Sequence, residues 1–253
     1  MSDAIVVSNV SKRFLLPSIP RGATVKDLVL RTVRRDANRD TYVDALRDVS
    51  FSVERGSMLG VIGRNGSGKT TLMRLIAGIL KPDAGSVRLT GDIAPLLTLS
   101  MAFHPDLTGR EGARIELLAL GRSRAEAEAL MPRIVDYSEI GEFIDAPVRT
   151  YSQGMMMRLA FAVAISVDAD TLLFDEILAV GDVAFAHKCL RSIDDFRNRG
   201  KTIVLVTHDT EKVRQFCDLA LWLDQGELVG LGDPAAVIGA YGNVVADLIA
   251  AED

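Results

Sequence analysis

The stretch Gly63-Arg64-Asn65-Gly66-Ser67-Gly68-Lys69-Thr70-Thr71 constrains this chain more than any other. An apolar run from Met58 to Ile62 precedes it and predicts a buried strand. Leu72, Leu75, Ile76 and Ile79 follow it at the spacing of one helix face. A glycine-rich loop between a strand and a helix curls its backbone N–H groups inward. The positive end of the helix dipole adds to them, and together they make a concave anion site. Gly63, Asn65, Gly66, Ser67, Gly68 and Thr71 form that cradle. Lys69 is spaced to reach β- and γ-phosphates as a point charge, and the Thr70 hydroxyl to ligate the Mg²⁺ that bridges them. A glycine-rich turn with no ligand is the bland alternative, and strand, loop and helix together argue against it.

With 253 residues, the chain has room for one large α/β domain, or for a core with a small subdomain. Cys189 and Cys217 form no C-x-x-C pair and sit among apolar residues, which reads as core thiols in a reducing compartment. The amino terminus lacks the layout of a signal peptide, and the apolar run Leu159 to Val167 is too short to cross a bilayer, so a cytoplasmic protein is expected. Twenty-nine basic and 34 acidic residues give a net charge of −5, which argues against a general nucleic-acid binder. A mean hydropathy of +0.20 leaves room for an apolar partner surface.

Ala4 to Val10 and Leu46 to Val53 read as strands, the second alternating Val49, Phe51 and Val53 inward against Ser50 and Ser52 outward. Between them, Arg21 to Arg39 holds six basic side chains against Asp27 and Asp36, with Val25, Leu28, Val29 and Val33 at helical spacing beneath. A basic amphipathic segment of this kind lies either at a lipid headgroup surface or as a solvated helix with its back on the domain. Tyr42, just before the second strand, offers a ring that either stacks on a nucleotide base or packs as core.

After the cradle helix, Lys81-Pro82-Asp83-Ala84-Gly85 predicts a turn and Ser86 to Thr90 a short strand. From about Asp92 to Val167 the pattern is mainly helical, with Ser123 and Glu126 as a capping box. This block reads as a helical subdomain inserted in the α/β core. Strands return with Thr171 to Phe174, ending at Asp175-Glu176. Ligands of a parallel sheet bind at the carboxyl ends of its strands, so both carboxylates are expected to face the cradle. Asp175 would hold Mg²⁺, and Glu176 would orient or deprotonate an attacking water. A helix bearing Ala186, Cys189, Leu190, Ile193 and Phe196 closes at Gly200, and the strand Lys201 to Val206 ends at Thr207-His208-Asp209. His208 there can donate to a γ-phosphate oxygen, whereas His104 reads as a turn residue and His187 as a helix-surface one. Two strands, near Leu221 and Glu227, and short apolar-faced helices complete the pattern.

Gly63 to Thr71, Tyr151-Ser152-Gln153-Gly154-Met155, Leu172 to Glu176, Ala179-Val180-Gly181-Asp182 and His208, in that order over about 150 residues, resemble the nucleotide-binding domain of an ABC transporter. The resemblance implies a P-loop, RecA-like α/β core with an antiparallel β-subdomain and an inserted helical subdomain. The ATPase domain would span residues 1–245, with the helical subdomain at about 95–167, the basic insertion at about 14–41 and a tail at 246–253.

The Tyr-Ser-Gln-Gly-Met signature, the stretch Phe103 to Glu111 and Leu178 to Asp182 narrow the resemblance to exporters of lipid-linked cell-surface polysaccharides such as O-antigen, teichoic acid and capsule. That likeness implies an ATP- and Mg²⁺-dependent ATPase working as a homodimer on a separate transmembrane permease dimer. Its place would be peripheral, on the cytoplasmic face of the inner membrane. Each ATP would sit between the P-loop of one copy and Ser152 and Gly154 of the other, with Asp182 linking the two sites. Where the family carries a metal-touching glutamine, alignment back from Phe103 places Thr98. Some relatives append a carbohydrate-binding β-sandwich, for which this chain is expected to have no room. An importer, a small-molecule exporter and a soluble ABC ATPase acting on ribosomes or DNA are the alternative readings.

Overall fold

Val49, Phe51 and Val53 are buried while Ser50 and Ser52 are exposed, the two-residue alternation of a strand with one face on a core. They lie on β2 (Thr41–Glu54), which pairs antiparallel with β1 (Asp3–Leu16). The computed structural model describes residues 2–16, 41–96, 103–175 and 183–252. The basic insertion from Arg21 to Arg39 lies outside them. Both strands run beyond the expected Ala4 to Val10 and Leu46 to Val53 because they keep pairing as a ribbon out to Leu16 opposite Thr41. Tyr42 is therefore inside β2 and not before it, paired with Leu15. β4 (Ala84–Leu89) completes a three-stranded sheet in the order β2-β1-β4. It starts at Ala84, inside the expected turn, because Ala84 already pairs with Ser11.

A second sheet has the order β5-β6-β7-β3-β8-β9. It comprises β3 (Met58–Ile62), β5 (Ile93–Leu96), β6 (Thr171–Asp175), β7 (Thr202–Val206), β8 (Leu219–Asp224) and β9 (Glu227–Gly232). All neighbours are parallel except β8 and β9. Every residue of β3 and of β7 is buried, because both faces of the sheet are covered. Leu59 and Val61 join a core with the three-stranded sheet and α1 (Lys69–Ile76), while Met58 and Ile62 join a larger core on the other face. β5 corrects the expectation that helix begins near Asp92. Its four residues become a strand because they pair with β6, some 75 residues onward, and Pro95 is tolerated since the strand lies at the sheet edge.

The larger core is roofed by α2 (Gly109–Ala119), α3 (Arg124–Ser138) and α4 (Gln153–Ser166). α2 and α3 each open on a capping box, Thr108 with Glu111 and Ser123 with Glu126, which satisfies two backbone donors at each start. α5 (Val183–Asn198) and α6 (Thr210–Phe216) follow, and α7 (Pro234–Glu252) is one continuous helix where short ones were expected. Its sequence has no proline after Pro234 to interrupt it. Among the described residues no helix is long and apolar enough to cross a membrane.

Candidate functional site

The carboxyl ends of β3, β7 and β6, consecutive in the sheet, converge on one edge. Val61 pairs with Val206, and Val206 with Asp175, so the backbone of Asp175 is level with the last residues of β3. At about 4.8 Å per strand this puts Asp175 about 10 Å across the sheet from the cradle. His208 lies between them in sheet order, exposed, two residues past Val206. Asp209 fixes the next element by accepting from the Glu211 and Lys212 N–H groups, so the His208 backbone is held between a strand end and a helix cap.

The cradle is held from three sides. Lys69, 9% exposed, donates through Nζ to the carbonyls of Gly63 at 2.7 Å and Arg64 at 2.9 Å, so its ammonium is drawn across the mouth of its own loop. Gly63 has φ 148 and Gly68 φ 105, conformations that side-chain-bearing residues rarely adopt. A Cβ at Gly63 would collide with the Leu223 carbonyl, and one at Gly68 would stand 2.5 Å from the Ala45 carbonyl oxygen. The β8–β9 turn braces the loop as well. The Gly226 N–H donates to the Ser67 carbonyl at 3.0 Å, and the Gly226 carbonyl accepts from Arg47 N–H at 2.8 Å.

The resulting cleft holds about 490 Å³ and is lined by Val43, Asp44, Ala45, Asn65 and Gly66, and by Gly68 to Thr71. Ser67 is 3% exposed, and its Oγ has no hydrogen-bond partner. The first N–H groups of α1 have no acceptor within the helix. A buried hydroxyl without a partner, orphan N–H groups, a lysine and the exposed Thr70 suit an anionic ligand that brings several oxygens and a hard cation. The residues present therefore fit a Mg²⁺-bound polyphosphate.

Ser152 and Gly154 are not in this cleft. Ser152 caps α4, accepting from Met155 N–H at 3.2 Å, and no acidic side chain in the first turn offsets the helix dipole. The helix start is anchored by Tyr151, whose hydroxyl donates to the Phe143 carbonyl at 2.5 Å and occupies the space a Cβ of Gly109 would need. Burial raises the Tyr151 hydroxyl above its ordinary value. Ser152 and Gln153 are exposed, so a hydroxyl and a helix N-terminus are offered outward, to something other than this chain's own cleft.

Tyr42 is 59% exposed and not among the lining residues, whereas Val43 is. Val43 pairs with Phe14, 38% exposed, and directly paired residues of antiparallel strands share a face. Phe14 is not itself a lining residue, but it stands beside the lining residue Val43 on the ribbon, an aromatic position that the sequence pattern did not single out. Its signal was the aromatic residue closing the alternating run of β1. Thr98, Glu176 and Asp182 lie outside the described residues.

The family model described as ABC transporter matches residues 46–179. The chain is 40% identical over 247 residues to the O-antigen export system ATP-binding protein RfbB of Klebsiella pneumoniae, covering 97% of this chain and 100% of that protein. It is 49% identical over 243 residues to the protein of the same name from Myxococcus xanthus, covering 94% of this chain and 55% of that one. Identity to the teichoic acids export ATP-binding protein TagH of Bacillus cereus is 36% over 241 residues, 95% of this chain and 43% of TagH. The chain thus spans about half the length of two of these relatives and all of the third. Among solved structures, a dimeric ATP-binding cassette bound to ADP and Pi superposes with a TM-score of 0.72 at 20% identity, over 91% of this chain and 98% of that one. At that identity it speaks for the fold.

Proposed function

The chain belongs to the ABC transporter family, among the ATP-binding proteins of polysaccharide exporters, and from that premise we propose that it is the ATPase subunit that drives a lipid-linked glycan outward through a separate membrane partner. The observation that carries this reading is the cradle. Gly63 and Gly68 have no room for side chains, the buried Ser67 hydroxyl has no hydrogen-bond partner among the described residues, and the cradle stands on the sheet edge where β3, β7 and β6 all end.

In this reading the loop N–H groups and Lys69 bind the triphosphate, and Phe14 covers the base. Thr70 and Asp175, with Thr98 as the family's pattern suggests, would hold Mg²⁺, which when bound would neutralise charge between the β- and γ-phosphates. Glu176 orients and deprotonates the attacking water, and His208 donates to the γ-phosphate. Ser152 and the Gly154 N–H, turned away from their own cleft, meet the γ-phosphate held by a second copy, with Asp182 between the two sites. ATP then favours the closed pair because only the triphosphate offers both copies a contact, and hydrolysis removes that difference.

A second cleft of about 630 Å³, lined by Ile79, Ile93, Pro95, Glu116 and Leu120 among others, is where the reading seats the membrane partner. Ile79 at its rim is 59% exposed, and burial raises the Glu116 carboxyl above its ordinary value. The partner would hold the ATPase at the cytoplasmic face of the membrane.

Base stacking on an aromatic ring is worth about 1–3 kcal/mol, so Phe14→Ala is expected to weaken ATP binding by about 5- to 100-fold. Tyr42→Ala should stay within about twofold, since Tyr42 is not a lining residue and its ribbon partner is Leu15, which is not one either. Titration with a fluorescent ATP analogue compares the two, and the reverse ranking would return the base to Tyr42.

The functional reading is tested in cells whose only copy carries Glu176→Gln. Lipid-linked polymer is expected to accumulate inside, with none at the surface. Normal surface glycan would overturn the export reading, and recovery of the protein with ribosomes or nucleic acid instead of a membrane partner would favour the soluble alternative.

A further inference from the structure

Behind the signature, three helices and one strand meet at a cluster that the reading above leaves unused. Glu139, the residue that ends α3, has φ 55, a left-handed conformation that costs a side-chain-bearing residue some strain. From there its carboxylate reaches two cations on two different helices. Lys188 of α5 lies 2.5 Å from Oε1, and Arg158 of α4 lies 3.6 Å from Oε2.

Each cation is also laid over a ring. Lys188 Nζ is 4.3 Å from the Tyr137 ring centre and donates to the Tyr137 carbonyl, and the Arg158 guanidinium is 4.8 Å from that of Phe185. The Tyr137 hydroxyl shares a 2.6 Å hydrogen bond with Ser192 Oγ, and burial pushes its pKa up to about 12. Beneath the charges, the rings continue into the sheet. Tyr137 stacks on Phe161, and Phe161 stacks on Phe174, the residue before Asp175.

These contacts connect two functions that the proposed assembly divides between two sites. α4 carries Ser152, which would serve the partner's ATP. β6 carries Asp175, and α5 starts directly after Asp182, both belonging to the chain's own side of the interface. We propose that Glu139 is a positioning residue that locks the signature helix to α5, so that the surface one chain offers its partner's ATP moves together with its own carboxylate edge. The inference rests on the sandwich reading above. A rigid link of this kind makes the state of one site felt at the other, which is what coupling between two sites requires.

The left-handed backbone at Glu139 supplies a discriminating variant. Glu139→Gly removes the carboxylate while keeping, and easing, the backbone conformation, so it should not unfold the domain. Glu139→Gln keeps the shape and removes only the charge. Full-length wild type and both variants are compared by melting temperature, ATP affinity of the monomer, and steady-state hydrolysis against ATP concentration. Dimer formation is followed by light scattering with Mg²⁺ and a non-hydrolysable ATP analogue.

The expected result is ATP affinity within about twofold of wild type and a folded protein. The Hill coefficient should fall from near 2 toward 1, with kcat lower by at most about fivefold, since a half-exposed ion pair is screened by solvent. A dimeric, cooperative wild type whose Glu139 variants keep its Hill coefficient, whatever happens to kcat, would overturn the inference alone. A wild type that stays monomeric with the analogue would overturn the sandwich, and this inference with it.

Discussion

Glu176→Gln is expected to slow ATP hydrolysis by about 10²–10⁴-fold, the usual worth of a positioned general base, while ATP binding stays within a few-fold of wild type. Asp175 is the last residue of β6, and its backbone is level with the end of β3, from which the cradle departs. Glu176 follows directly in the sequence, and the proposal puts it to work at that edge, where a γ-phosphate held by the loop would meet water. A glutamine there keeps the size and one hydrogen-bonding oxygen but cannot take a proton. Phosphate release in single turnover reads the chemical step directly, and the variant should accumulate an ATP-bound dimer, because binding is retained and escape by hydrolysis is not. Unchanged turnover would remove Glu176 from the role of base and shift attention to His208.

Lys69→Ala acts on the other half of the cycle. The ammonium is buried, drawn between the Gly63 and Arg64 carbonyls, and poised over the loop that would receive the phosphates. Charge-assisted hydrogen bonds contribute about 1.5–3 kcal/mol each, so loss of contacts to a triphosphate is expected to weaken ATP binding by about 10²-fold. The change also leaves the two carbonyls without that donor. Lys69→Met loses the charge and the donors but keeps the apolar stem, so it separates those losses from the hole that alanine opens. Both variants should bind ATP poorly, whereas the melting temperature should fall further for alanine, which also opens a hole. Equal ATP affinity in wild type and Lys69→Met, measured by titration, would detach the lysine from the phosphates.

Much of this site was legible before any coordinates because its signals are local. The strand Met58 to Ile62, the glycine loop and the helix after it specify one another within some twenty residues. The same holds for the Ser123 and Glu126 capping box, whose two hydrogen bonds span three positions. What the sequence left hidden is pairing between distant segments. Ile93 to Leu96 carries no alternation to mark it as a strand, and only its ladder with β6 makes it one. The sequence offers Tyr42 as the aromatic candidate, and only the register, which sets Phe14 opposite the lining residue Val43 and Tyr42 opposite Leu15, brings Phe14 forward. The Glu139 cluster gathers residues from α3, α4 and α5, and none of its members has a local pattern that names the others.

The brace around the cradle has a consequence for how the nucleotide's state is read. The Leu223 carbonyl fills the space a Gly63 side chain would need, Gly226 donates to Ser67, and Arg47 donates to Gly226, so folding has already spent the entropy of shaping the loop. A preorganised receptor of this kind offers the same embrace to a diphosphate as to a triphosphate, and its own shape carries little news of which one it holds. In the proposed reading, discrimination would fall to groups outside the loop that touch only the last phosphate. The loop that grips the fuel would in this sense be mute, and in the proposed reading the stroke would be written where His208 and a neighbour's Ser152 gain or lose a contact.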